Sequence, residues 1–271
     1  MKKLSFLFLF FSTFLFSQKK WNVRFYNELV DRQYHIYADN EEETPISTKF
    51  TVTLKNMKST LSNNEIVVIP PKTKRFLLST LSVIVPNAAN SFSYNNLFNF
   101  GDVLQENYND HYVYDLPFEK GKSYLVFQGY NGKLSHQNQL ALDFNFKEGD
   151  KIFAAREGKV VDLEEKNNTH CETANCAKFN NKILIMHPDG TFAEYVHLKQ
   201  NGVEVQIGQN VEKGEFLGYS GNTGWSTGPH LHFGVFINRM DGNRDFLQTA
   251  FKTSKSEAEI LKEKSTYTKN Y

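Results

Sequence analysis

The run GNTGWSTGPHLHFGV, residues 221–235, holds two histidines, His230 and His232, on either side of Leu231. In an extended strand alternate side chains face the same way. That puts both imidazoles on one side, with Leu231, Phe233 and Val235 on the other. Gly221, Gly224, Gly228 and Pro229 predict a loop ahead of the pair that passes close to a ligand, and they exclude a helix there. Imidazole nitrogens bind metals and carry protons near neutrality. The pair therefore predicts metal or acid–base chemistry, provided other segments supply partners.

Three more groups qualify: His136, Asp143 and His197. In LALDFNF, Leu140, Leu142, Phe144 and Phe146 alternate with Ala141, Asp143 and Asn145, so the carboxylate lies away from the apolar row. In FAEYVHL, Ala193, Tyr195 and His197 are expected on one face, opposite Val196 and Leu198. Zinc accepts histidine nitrogen and aspartate oxygen, and a catalytic site keeps three protein ligands plus one open position. Two histidines and one carboxylate would suit such a site, and the remaining histidines would serve as proton carriers. Residue type alone does not divide the five groups into ligands and carriers. His35, His111, His170 and His187 have no such company and read as ordinary packed or exposed histidines.

The elements that must position these groups are strands. The chain has 271 residues, 24 of them Phe and 13 Tyr, a composition that favours β-structure. With a formal charge of +1 it has no electrostatic footprint for nucleic acid. MKKLSFLFLFFSTFLFSQ opens with two lysines and a short apolar run, the form of a secretory signal over residues 1–17. Removal of that segment would leave no membrane anchor. Export to an oxidising compartment predicts that Cys171 and Cys176, in the polar loop KNNTHCETANC, close a small disulfide.

Residues 18–117 read as a β-sandwich-like module of alternating strands such as TKFTVTLK, separated by turn clusters. Residues 118–249 read as short antiparallel strands with tight turns. Residues 250–271 read as a polar tail, with Ser256 and Glu259 as a capping box for a short helix near 257–264. The fold expected is all-β, with a small antiparallel C-terminal domain that carries a groove.

The segments SHQNQLALDF…EGDKIFAAREGKVV, YVHL and GNTGWSTGPHLHFGV resemble, in order, those of the lysostaphin/LytM-type zinc metallopeptidases. The resemblance covers about residues 129–240. It implies a peptidase that cuts peptide bonds of bacterial peptidoglycan, acting in the periplasm or outside the cell. It also implies one zinc ion on His136, Asp143 and His232, with His197 and His230 as the catalytic pair. One spacing departs from the commoner family pattern: six residues, and not three, separate His136 from Asp143. A turn or bulge near residues 137–139 is then required to bring both to one site. The alternatives are a wall- or partner-binding member that does not cut, and a peptidase for other exported peptides. The run IGQNVEKGEFLG also resembles the hairpin of lipoyl and biotinyl carriers, with Lys213 at its turn, but Glu212 departs from that motif.

Overall fold

The structure, a computed structural model, describes residues 21–271, so the expected signal segment lies outside the described residues. Strands dominate, as expected, and one short 3-10 helix, Ala174–Phe179, interrupts them. No helix among the described residues is long and apolar enough to cross a membrane.

The first seven strands form two sheets. Val23–Val30, Gln33–Asn40, Thr73–Val83 and Met57–Ser59 make one, and Glu65–Ile69, Ile46–Lys55 and Ser91–Phe100 make the other. Alternation in each strand sends one set of side chains inward. Ile36, Ala38, Leu78 and Leu81 from the first sheet meet Phe50, Val52 and Ile69 from the second. This is a sandwich core, built from period-2 patterning.

The rest of the chain is organised by one antiparallel sheet of nine strands. Its centre holds Lys182–Met186, Phe192–Val196, Leu231–Asn238, Ala141–Phe144 and Ser123–Gln128, in that order. One face of the sheet is apolar. Leu142, Phe144, Ile183, Ile185, Tyr195, Leu231, Phe233 and Val235 bury there. A three-stranded sheet of Lys151–Phe153, Phe216–Ser220 and Leu198–Val203 contributes Ile152, Leu217 and Leu198 to the same core.

The opposite face does two jobs. At one end Val161, Leu184, Phe192 and Phe236 form a second apolar cluster, covered by Phe100 of the N-terminal sandwich. The Phe100 and Phe192 rings meet edge to face at 5.5 Å. Gly101 is required at this joint, because it has a φ of +86° and a Cβ there would lie 2.8 Å from the Phe192 ring. Glu43 joins the two parts through Lys72 at 2.6 Å and Lys159 at 3.6 Å. At the other end the same face carries Asp143, Glu194 and His232.

Residues 250–271 depart from the expected polar tail. There is no helix at 257–264. Ser265–Thr268 instead pairs with Ser123–Gln128 as an edge strand of the large sheet. Phe251, Leu261 and Tyr267 are buried in the main core. Backbone pairing decided the outcome: the cap hydroxyl expected at Ser256 instead bonds Ala258, and Glu259 is held by Thr253.

Candidate metal centre

Two local irregularities build the site. Between the Asp143 strand and its neighbour the register shifts, with Asp143 opposite Gln128 and Phe144 opposite Val126. The intervening Phe127 is bulged, so Phe127 and Gln128 both reach the site side. Gln128 Nε2 donates to Asp143 Oδ2 at 2.6 Å, and Phe127 stands edge to face against His230 at 5.5 Å. Gln128 Oε1 also accepts from the backbone N–H groups of Leu134 and Ser135, both at 3.0 Å. This pins the loop that ends at His136. The chain then turns, with Gln139 N donating to His136 O at 2.9 Å and Asn138 at a φ of +58°. That turn absorbs the longer spacing between His136 and Asp143.

The second irregularity is His197 itself, at a φ of +68°. This left-handed conformation is uncommon for a side chain larger than glycine and costs roughly 1–3 kcal/mol. It corrects the expected face. Ala193 and Tyr195 point into the core, where Tyr195 is fully buried and its hydroxyl accepts from Ala155 N at 2.8 Å. His197 instead reverses onto the groove side with Glu194 and Val196. Its carbonyl is fixed by Gly221 N at 3.0 Å.

Strand pairing sets Asp143 directly opposite His232. Three atoms converge. His232 Nδ1 lies 3.0 Å from Asp143 Oδ1, His136 Nε2 lies 3.3 Å from the same oxygen, and the two nitrogens are 3.2 Å apart. Among the described residues, these three form the group of potential ligand atoms that lie within 4.8 Å of one another. Two imidazole nitrogens and one carboxylate oxygen are a donor set that suits a catalytic zinc. The other ring nitrogen of His136 donates to Gly129 O at 3.2 Å, which leaves Nε2 with its lone pair toward Asp143.

His197 and His230 stand beside this cluster, their ring centroids 4.4 Å apart. His197 Nδ1 donates to Thr223 O at 2.7 Å, and His230 Nδ1 donates to Gly228 O at 2.8 Å. Each ring thereby keeps an unprotonated Nε2. His230 Nε2 is 3.9 Å from Asp143 Oδ1. Burial, with His230 and His232 adding to it, pushes His197 down to about 3. Burial also lowers His230, against the pull of Asp143. Burial disfavours the charges of Asp143, Glu194 and His232, but their mutual contacts outweigh it. His136 and His232 hold Asp143 well below the usual carboxylate range. Arg244 and His232 hold Glu194 at about 2. Asp143 and Glu194 raise His232 to about 10. A metal ion at this place would displace that proton.

A groove of about 410 Å³ opens over the five groups. Leu134 stands at its rim with 77% of its surface exposed. Glu172 and Trp225 form the opposite wall. The Cys171–Cys176 disulfide is formed as expected and braces that wall. Cys171 pairs with Trp225, and Trp225 Nε1 donates to Glu172 O at 3.1 Å. No residue of the sandwich lines the groove.

The remaining histidines lie elsewhere. His35 contacts Tyr37, His111 is exposed, His170 is in the disulfide loop and His187 is buried beneath Tyr114. Lys213 points to Asp115 at 3.7 Å, away from the groove. Sequence reasoning missed Gln128, Glu194 and Arg244. The one signal available for Glu194 was a charge inside an otherwise apolar strand, FAEYV.

Residues 137–244 match the family model described as Peptidase family M23. The glycyl-glycine endopeptidase ALE-1 of Staphylococcus capitis is 31% identical over 128 residues, 46% of this chain and 31% of that protein. The peptidoglycan DD-endopeptidase ShyA of Vibrio cholerae is 33% identical over 95 residues, 35% of this chain and 19% of that protein. The match thus spans less than a third of either relative. Among solved structures, the catalytic domain of lysostaphin from Staphylococcus simulans aligns with 26% identity and a TM-score of 0.34, over 46% of this chain and 87% of that one.

Proposed function

Residues 137–244 belong to peptidase family M23, of the lysostaphin/LytM type, and from that premise we propose that the chain is an exported zinc endopeptidase of bacterial peptidoglycan. The observation that carries this reading is the convergence of His136 Nε2, Asp143 Oδ1 and His232 Nδ1 beside two imidazoles that keep free Nε2 atoms. ALE-1 is a glycyl-glycine endopeptidase and ShyA a peptidoglycan DD-endopeptidase, and both support the substrate class.

In this reading His136, Asp143 and His232 hold one zinc ion. Zinc, when bound, supplies a Lewis acid that polarises a carbonyl and lowers the pKa of water toward neutrality. The protein's own residues do the rest. Gln128 keeps Asp143 from rotating, so that Oδ1 stays toward the two imidazoles. His197 and His230 present Nε2 acceptors to the groove. The ring that takes the proton of the attacking water becomes an imidazolium, and its Nε2–H then stabilises the developing oxyanion or passes that proton to the leaving amine. Their backbone-bound Nδ1–H groups fix the tautomer, so neither ring needs to turn before it accepts a proton. The open groove admits an extended peptide. Export through the segment 1–17 would deliver the enzyme to its polymeric substrate.

The test is mass spectrometry of peptidoglycan digested with the purified chain, with His230→Ala as control. New free amino termini and loss of cross-linked fragments are expected, and the control should produce neither. An unchanged digest from protein shown to contain zinc would contradict the proposal.

A further inference from the structure

Glu194 is a buried charge beside the candidate metal ligands to which the proposed chemistry gives no task. It lies mid-sheet, opposite Gly234 on the His232 strand, and is 7% exposed. A carboxylate at that depth is costly unless its oxygens are partnered. Arg244 Nη1 donates to Oε2 at 2.8 Å. The other oxygen, Oε1, faces His232 Nε2 at 3.5 Å. The opposite nitrogen of that same ring is the one that converges on His136 and Asp143. Arg244 is itself braced, with its guanidinium over the Phe236 ring at 4.2 Å.

We infer that Glu194 is a positioning residue for the metal: it accepts the Nε2–H of His232, and Arg244 holds Glu194 in place to do so. The inference rests on the reading of His232 as a metal ligand. A carboxylate on the far nitrogen of a ligating imidazole fixes the tautomer, stops ring rotation and raises the basicity of the ligating nitrogen. His136 has a neutral counterpart, the Gly129 carbonyl at 3.2 Å. The two imidazoles are therefore supported unequally, and the anionic support falls on the one from the sheet centre. Gly234 completes the arrangement. A Cβ there would lie 2.7 Å from the Phe246 ring, so no larger residue fits opposite Glu194.

The test is the zinc dissociation constant of the purified chain, measured by competition with a chromogenic chelator. Glu194→Ala, Arg244→Ala, the double variant and His232→Ala are compared with the unaltered protein. Glu194→Ala should weaken zinc binding about 10–100-fold. Arg244→Ala, at a side chain one-third exposed, should weaken it less. In the double variant the Arg244 change should add nothing, because Arg244 acts only through Glu194. If Glu194→Ala does not fold, Glu194→Gln takes its place, with a smaller weakening expected. Unchanged zinc affinity in the Glu194 and Arg244 variants overturns the inference while His232→Ala still loses the metal. An additive Arg244 effect overturns the relay. Zinc bound equally well by His232→Ala ends the parent reading and this one together.

Discussion

Single residues divide into those that would hold the metal and those that would move protons, and substitution should separate them. His197→Ala and His230→Ala are expected to keep zinc and lose about 10²–10⁴-fold in peptide cleavage. His136→Ala and Asp143→Ala are expected to lose the metal itself, read by metal analysis of the purified protein. A residue outside the site adds its own share to the acid sensitivity. Burial pushes His187 down to about 4, against the Glu157 carbonyl that accepts its Nδ1–H. Unfolding lets this ring take up a proton at its ordinary value, so stability is full above about pH 6.5 and is lost as pH falls toward 4. The loss amounts to about 2 kcal/mol between pH 7 and pH 5. Urea unfolding at the two pH values should show a loss smaller by about 2 kcal/mol in His187→Asn than in the unaltered protein, with the remainder coming from His197 and the other buried groups. The five candidate groups that the fold brings to one groove were legible in the sequence as residue types in short motifs, while their division into ligands and proton carriers rested on the family resemblance alone. Gln128, Glu194 and Arg244 were not, because they serve through contacts made across strands.

At the level of elements, strands and turns followed the alternation of apolar residues, and the places where alternation failed are the places where the site was built. The bulge at Phe127 and the left-handed His197 each place consecutive residues on one side, which no period-2 reading anticipates. The C-terminal segment failed for the opposite reason. Phe251, Leu261 and Tyr267 are too far apart to show any period, yet each is buried. The groove wall yields a prediction of its own. Gly224 has a φ of +78°, and a Cβ there would lie 1.8 Å from Asn180 Oδ1. Gly224→Ala should push Trp225 from its place and lower stability by at least about 1 kcal/mol. Trp225 fluorescence, read in a Trp21→Phe background, would report the shift. Opening the disulfide with Cys171→Ser and Cys176→Ser should cost about 2 kcal/mol, the chain-entropy value for so short a loop.

For the whole molecule, the sandwich docks beside the groove and not over it. The intact chain is therefore expected to cut without removal of residues 21–115, and a rate that climbs after limited proteolysis of that part would contradict this. The joint matters for stability instead. Phe192→Ala should cost about 3–5 kcal/mol in urea unfolding, because Phe100, Phe236 and Leu184 close around that ring. The strand Ser123–Gln128 is gripped from both sides, by Ala141–Phe144 and by Ser265–Thr268. Glu263 reinforces the second grip by accepting from Gly129 N at 3.2 Å. Gln128, which steadies Asp143, thus depends on a stretch that a ribosome adds more than a hundred residues later. A growing chain that has reached residue 245 already owns every candidate ligand and proton carrier, but its sheet still has an open edge beside Gln128. Long-range closure of this kind is slow compared with local hairpins. The candidate site is therefore complete only once Ser265–Thr268, almost the last strand of the chain, has paired with Ser123–Gln128.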